Sequence, residues 1–205
     1  MLDRACMLVR EGCSVTVLLG ALGKKQLGNV KYWAENAYPE ITGIKFVAIE
    51  DYFGEKLSDG EGNLPVINEA DYYSIDEYEG SVRVARTNYL PNTDKVYFEH
   101  FYSPSRFNYM SLKYCDAKGP DKDPSVILKR QSDGNEEALR NRSVLREKFY
   151  SGYVNDLSAK DVVVFHDPML DTEPGFRYID ESDKNVYRIA ISHGVGYGGE
   201  RNWYS

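Results

Sequence analysis

Apolar and polar positions along this chain change period twice. Leu2, Ala5, Cys6 and Val9 fall on one helical face and Gly12 follows them as a C-terminal cap, so the chain opens on a predicted helix. Residues 14–19 and 44–49 then read as strands, with a loop over 20–28 and a short helix over 30–38 that Pro39 ends. From 51 to 70 the texture is Gly, Asp, Glu and Asn, which predicts a long surface loop. Residues 82–87, 95–102 and 107–114 alternate with period two, separated by Pro91-Asn92-Thr93-Asp94 and Ser103-Pro104-Ser105. Residues 125–129 read as a fourth strand of this β-meander. Helical spacing returns over 136–157 through Leu139, Leu145, Phe149, Tyr153 and Leu157, with Asp133 or Asn135 as the predicted cap. Next comes Val162-Val163-Val164-Phe165, a run without polar alternation that suits a parallel strand covered on both faces. His166-Asp167-Pro168 then marks a turn and helix opening, and residues 187–192 a further strand.

These elements describe an α/β protein: an incomplete Rossmann-like parallel sheet interrupted by an antiparallel β-meander insertion. Residues 1–50 form the first part of the Rossmann-like domain, 51–133 the loop and inserted sheet, and 134–205 the second part. A helix, a glycine and then a strand make the back half of a β-α-β unit, so the opening strand of that unit is expected before Met1.

A chain of 205 residues buries a real core, and no apolar run approaches the roughly 20 residues that cross a bilayer. The opening residues lack the apolar core and cleavage site of a secretory signal. Cys6, Cys13 and Cys115 lack metal-ligand spacing, so reduced thiols and a cytoplasmic location are expected. A net charge of −7 argues against a chain-wide grip on nucleic acid. Lys129, Arg130, Arg140, Arg142, Arg146 and Lys148 are interspersed with Glu136, Glu137 and Glu147, as on a solvated helix face.

Candidate chemistry gathers at the end of the chain. Each of the last two predicted strands runs into a histidine, His166 and His193, and ligands of open α/β sheets collect outside the carboxyl ends of the strands. Gly194, Gly196, Gly198 and Gly199 leave backbone room beside His193, Tyr197 and Arg201 lie in the same loop, and the Arg201 guanidinium suits an anionic acceptor. His193 also has a structural reading, bonded to loop carbonyls, and Asp167 one as a helix cap ahead of Pro168. Three scattered histidines do not make a metal site, His100 reads as structural, and no nucleophile motif is present. Gly20, Gly23 and Gly28 do not have dinucleotide-binding spacing, so no cofactor is expected. The tyrosines of the meander suit a pleated, half-wet surface, or, at Tyr97, Tyr102, Tyr109 and Tyr114, a stacking platform for sugars or a partner.

The layout, with Lys95-Val96-Tyr97-Phe98, Phe107-Asn108-Tyr109-Met110, and the segment from Asp161-Val162-Val163-Val164-Phe165-His166-Asp167 to Ile189-Ala190-Ile191-Ser192-His193, resembles the amino-terminal half of bacterial GT-B glycosyltransferases. The teichoic-acid α-N-acetylglucosaminyltransferases and serine-rich-adhesin glycosyltransferases, which share an inserted sheet, are the groups it is most similar to. The resemblance implies an acceptor-binding region whose donor-binding partner domain would follow Ser205. His193 then matches the first of two closely spaced family histidines, and Gly196 stands where the second would be.

The resemblance thus implies a chain that holds a sugar acceptor, a wall polymer or glycoprotein, through His166, Asp167, His193, Gly194, Tyr197 and Arg201, and that meets the nucleotide sugar only through another domain. Such a chain is expected to be inactive alone. The rival expectation is a non-catalytic oligomerisation or accessory module of a glycosyltransferase complex, working through the inserted sheet.

Overall fold

The computed structural model describes residues 2–20, 22, 39–60, 73–114, 123–166, 179 and 184–190. In chain order these carry α1 (Leu2–Arg10), β1 (Val15–Leu19), a 3₁₀ turn (Pro39–Gly43), β2 (Ile44–Ala48), α2 (Ile49–Leu57), β3 (Tyr73–Glu79), β4 (Val82–Tyr89), β5 (Val96–Tyr102), β6 (Asn108–Lys113), β7 (Ser125–Lys129), β8 (Glu136–Leu139), α3 (Arg142–Asp156), β9 (Asp161–His166) and β10 (Asn185–Ala190). The expected loop over 20–28, apart from Gly20 and Leu22, the helix over 30–38, and the turn and helix at Asp167-Pro168 lie outside the described residues.

The opening helix ends as its sequence predicts. Gly12 takes φ +81, its N–H donates to the Val9 carbonyl at 2.9 Å, and the Cys13 N–H donates to the Leu8 carbonyl at 2.9 Å. These are the two bonds of a Schellman cap, which requires a left-handed residue at this place. The buried Ala5 and Cys6 of α1 meet Ile41 and Ile44, with Val9, Val15, Val17 and Phe46 around them. Leu18 and Val47 face the other way, into the main core, so the parallel pair β1–β2 is covered on both faces.

The insertion is a six-stranded antiparallel sheet in sequential order, β3 to β8, longer at both ends than the alternation suggested. Two expectations fail here. The predicted loop beginning at 51 is, as far as residue 57, a helix: Ile49, Phe53 and Leu57 stand four apart, and the first two are buried at 0% and 5% exposure. Glu50 and Asp51 in the first turn and Lys56 in the last suit the helix dipole, so the polar content that read as a loop is the outer face of an amphipathic helix. The predicted helix over 136–157 begins only at Arg142. Glu136–Leu139 pairs instead with β7, which lets Leu139 reach the core, and Lys129 and Lys148 hold Glu136 and Glu137, each at 2.9 Å. The cap is Asn141, whose Oδ1 accepts the Val144 N–H at 3.0 Å, and not Asp133 or Asn135.

One face of the sheet closes over α2 and α3. Phe101, Met110, Leu112, Val126, Leu128 and Leu139 from the sheet share a continuous core with Ile49 and Phe53 of α2 and Leu145, Phe149 and Val154 of α3. Leu18, Val162, Val164 and Val186 reach the same cluster from the parallel strands. The inserted sheet is therefore one layer of a common core and not a separable appendage. On α3, Asp156 accepts hydrogen bonds from Tyr52 at 2.8 Å and Lys56 at 2.6 Å, which ties the two helices together at the surface.

The last parallel pair departs from expectation. Val162 and Val164 turn inward, but Val163 and Phe165 are 50% and 41% exposed, and Tyr187 and Ile189 of β10 are 55% and 43% exposed. The run is apolar without being covered on both faces. Among the described residues β1–β2 and β9–β10 are two separate parallel pairs, so the expected parallel framework is present in two pieces.

A shared core makes two stability predictions. Phe149→Ala, at a position with 0% exposure, should cost about 3–5 kcal/mol and shift far-UV and tyrosine-fluorescence urea transitions together. Separate transitions for helix and sheet signals would contradict a common core. Asn141→Ala should cost about 1 kcal/mol in the same measurement.

Candidate functional site

Carboxyl ends of parallel strands are where an α/β framework exposes backbone amides and loop side chains to a ligand. In β9 and β10 the register runs Asp161 opposite Asn185 through His166 opposite Ala190, so the two strands end level with each other. His166 is thus the last residue of β9, and His193 follows Ala190 by three positions in the sequence. Asp167, His193, Gly194, Tyr197 and Arg201 lie outside the described residues.

The other parallel pair ends in the same manner, with Leu19 opposite Ala48. Beyond those residues come Gly20 on one strand and Ile49-Glu50 on the other. Tyr150 of α3 presses its phenol against Gly20 so closely that a Cβ built there would lie 1.9 Å from the hydroxyl, so a side chain here would displace the ring. Glu50, in the first turn of α2, is 3% exposed. Neither Glu50 nor Tyr150 is among the candidate residues of the sequence. An acid placed directly after an apolar strand and before a helical apolar spacing is the available signal for Glu50.

Burial governs the acid–base behaviour at this end. It pushes the Tyr109 phenol well above its ordinary range, and the neighbouring carboxylates of Glu50 and Asp51 push it further. Tyr150 is raised by burial too, with Arg146 opposing. Both remain neutral phenols at physiological pH, able to hydrogen-bond a hydroxyl or carbonyl but not to act as phenolate bases.

Of the tyrosines that the alternative reading made a stacking platform, Tyr102 and Tyr109 are buried, Tyr97 is half-buried, and the half-buried Tyr114 donates to Glu99 at 2.5 Å. Among the described residues of the inserted sheet, the exposed tyrosine rings are Tyr73 and Tyr78, on β3.

The outer face of the sheet instead carries a polar network across four strands. Ser74 donates to Asn88 Oδ1 at 2.9 Å, and the Asn88 amide nitrogen stands 3.5 Å from His100 Nε2. His100 Nδ1 is 2.8 Å from Ser111 Oγ, which donates to Asn108 Oδ1 at 3.0 Å, and Asn108 donates in turn to the carbonyls of Phe101 and Met110. Because the Ser111 proton is committed to Asn108, His100 must donate from Nδ1 and accept at Nε2, which defines the neutral tautomer. Phe98 stacks on the ring at 5.3 Å. Beside this network Asp76 holds Arg86 through two bonds, at 2.5 and 2.7 Å, with Arg83 3.7 Å away and lying over the Tyr102 ring. Burial first, then the charges of Arg86 and Arg83, lower the His100 pKa to about 4. This histidine is a structural element of the sheet.

Linkage turns that shift into a pH dependence. The unfolded chain protonates His100 near pH 6.5 and the folded chain only near 4, so between these values the unfolded state binds the extra proton. Stability is full above pH 6.5 and should fall with acidification, by up to about 1.4 kcal/mol per pH unit from this one group. His100→Gln should be less stable at pH 7 and lose stability less steeply from pH 6.5 to 4.5 in urea titrations. Equal slopes for the two proteins would remove His100 as the source.

No protein-family model and no curated protein matches the chain. Solved structures do. The chain is similar to TarM, at 13% identity and a TM-score of 0.45, over 91% of this chain and 45% of that one. It is similar to accessory secretory protein 1, 2 and 3 of Streptococcus pneumoniae, at 9% identity and a TM-score of 0.47, over 91% and 44%. A third is the Glycosylation Associate Protein (Gap123) complex from Streptococcus agalactiae, at 12% identity and a TM-score of 0.40, over 91% and 44%. The chain spans less than half the length of each of the matched chains.

Proposed function

We propose that this chain is the acceptor-binding amino-terminal region of a glycosyltransferase, one that moves a hexose or N-acetylhexosamine from a nucleotide sugar to a cell-wall polymer or protein acceptor. The observation that carries this reading is the register of β9 and β10, which brings the end of the strand bearing His166 level with the strand that leads to His193. Two such strand ends make one edge, and an imidazole there can give or take a proton from a sugar hydroxyl near neutral pH. Gly194, Tyr197 and Arg201 belong to the same acceptor edge in this reading, with Asp167 after His166. The two parallel pairs are then parts of one Rossmann-like half of a GT-B enzyme.

Transfer itself requires donor groups that stabilise charge on the departing nucleotide diphosphate. In this reading that role belongs to a donor-binding domain, and the chain alone binds the acceptor without turning over.

Titration calorimetry of the purified chain against a short polyol phosphate, a glycopeptide and a nucleotide sugar tests the assignment. One of the two acceptors should bind, His193→Ala should weaken it about tenfold, as for the loss of one hydrogen bond, and the nucleotide sugar should not bind. Multiple-turnover transfer by the chain alone, or acceptor binding unchanged in both His193→Ala and His166→Ala, would overturn the proposal.

A further inference from the structure

An arginine withdrawn from water is normally paired, because an uncompensated buried charge is costly. Among the described residues three arginines are partly buried, Arg83, Arg86 and Arg146. Arg83 and Arg86 share the carboxylate of Asp76, and the more exposed Arg142 is held by Asp123. Arg146 differs. It makes no ion pair or hydrogen bond with a described residue, and its Nε is shut off from solvent without an acceptor.

Two contacts of α3 locate this arginine. Tyr153 brings its hydroxyl to 3.5 Å from Thr16 Oγ on β1, and Tyr150 sets its phenol against Gly20, just past the end of that strand. The helix therefore passes β1 in the opposite direction. One further turn toward its amino end, about 6 Å along the axis, takes residue 146 beyond the carboxyl end of β1. Residues four apart share a helix face, so Arg146 and Tyr150 lie on the same side. The arginine's charge is what opposes the effect of burial on the Tyr150 phenol. No described carboxylate bears on that phenol, whereas Glu50 and Asp51 both bear on Tyr109. The acids at this end of the sheet are gathered about a different tyrosine and leave the guanidinium uncompensated.

We propose that Arg146 anchors an oxyanion site at the carboxyl end of β1, where its guanidinium takes a phosphate ester against a floor made by Tyr150 and Gly20. A planar fork of donors meets two phosphate oxygens at once, and partial burial strengthens each bond relative to the same pair in water. Tyr150 remains a neutral phenol, so it does not compensate the arginine and the positive charge awaits the ligand. The carboxyl ends of parallel strands are also the place where an α/β framework receives ligands. On the acceptor reading of this chain, on which the source of the phosphate rests, the ester belongs to a polyol-phosphate polymer and not to a glycopeptide. A nucleoside diphosphate offers the same chemistry, and the two sources separate in the titration below.

The full chain is titrated by calorimetry with glycerol phosphate, inorganic phosphate, glycerol and uridine diphosphate. Glycerol phosphate should bind, inorganic phosphate should compete with it, and glycerol should not bind. Arg146→Met should weaken glycerol phosphate at least about tenfold, as for the loss of a charge-assisted hydrogen bond, and Arg146→Lys should recover part of that loss. Without ligand, Arg146→Met should be at least as stable in urea as the parent chain, because it removes an uncompensated charge. A second measurement needs no variant: glycerol phosphate should slow the modification of Arg146 by phenylglyoxal, followed by peptide mass spectrometry. Unchanged binding in Arg146→Met, or no protection of Arg146, would overturn the site. Uridine diphosphate binding more tightly than glycerol phosphate, and through Arg146, would give the site to a nucleotide and overturn the acceptor assignment. Glycerol phosphate binding lost in His193→Ala but kept in Arg146→Met removes this site and leaves the histidine edge standing, while the reverse pattern supports the site and removes the histidines.

Discussion

The burial of one face each of α2 and α3 under the antiparallel sheet is the constraint on which the other features depend. Ile49, Leu145 and Phe149 are fully buried, and each such side chain contributes roughly 1.5–3 kcal/mol relative to exposure. The same helices receive Leu18, Val47, Val162 and Val164 from the parallel strands. Neither the parallel pairs nor the sheet could keep its apolar face dry without the helices between them. Removing the sheet would strip Phe101, Met110, Leu112, Val126 and Leu128 from the core.

The two faces of the sheet solve different problems. The inner face is apolar and close-packed. The outer face buries polar groups at His100, Asn88, Asn108 and Ser111, which low dielectric makes costly unless every donor finds an acceptor. The chain from Ser74 through Asn88, His100 and Ser111 to Asn108 satisfies that condition in one direction only, and it fixes the neutral tautomer as it does so. Such a network pins register across β3, β4, β5 and β6, because a slip of one residue would turn every member of it toward the apolar face.

The two parallel pairs differ in burial. β1 and β2 are packed on both faces, and their carboxyl ends carry the buried Glu50 and the phenol of Tyr150 against Gly20. The pair β9–β10 is packed on one face and leaves Val163, Phe165, Tyr187 and Ile189 partly in water. Its strand ends, level at His166 and Ala190, are the part of the framework to which the proposed acceptor chemistry belongs.

Much of this architecture was legible in the residues themselves. Gly12 announced the end of α1 because only a residue tolerant of positive φ closes a Schellman cap at low cost, and the alternation of β4, β5 and β6 announced a meander because side-chain direction in a strand has period two. Local signals failed where the outcome depended on a partner distant in sequence. Glu136 to Leu139 has helical residue types, yet it is a strand because β7 offers backbone pairing and the core has room for Leu139. Residues 51–57 have loop-like composition, yet they are helical because Ile49 and Phe53 find a hydrophobic surface on the sheet. His166 could be picked out as a strand-end residue from sequence, but the level ending of β9 and β10 is a matter of register, and the buried place of Glu50 one of packing. The sequence by itself thus determined the periodic elements and their caps, whose causes are local. Tertiary structure decided which marginal segments became helix or strand and which polar groups were buried, because those free energies come from contacts that exist only once the chain has folded.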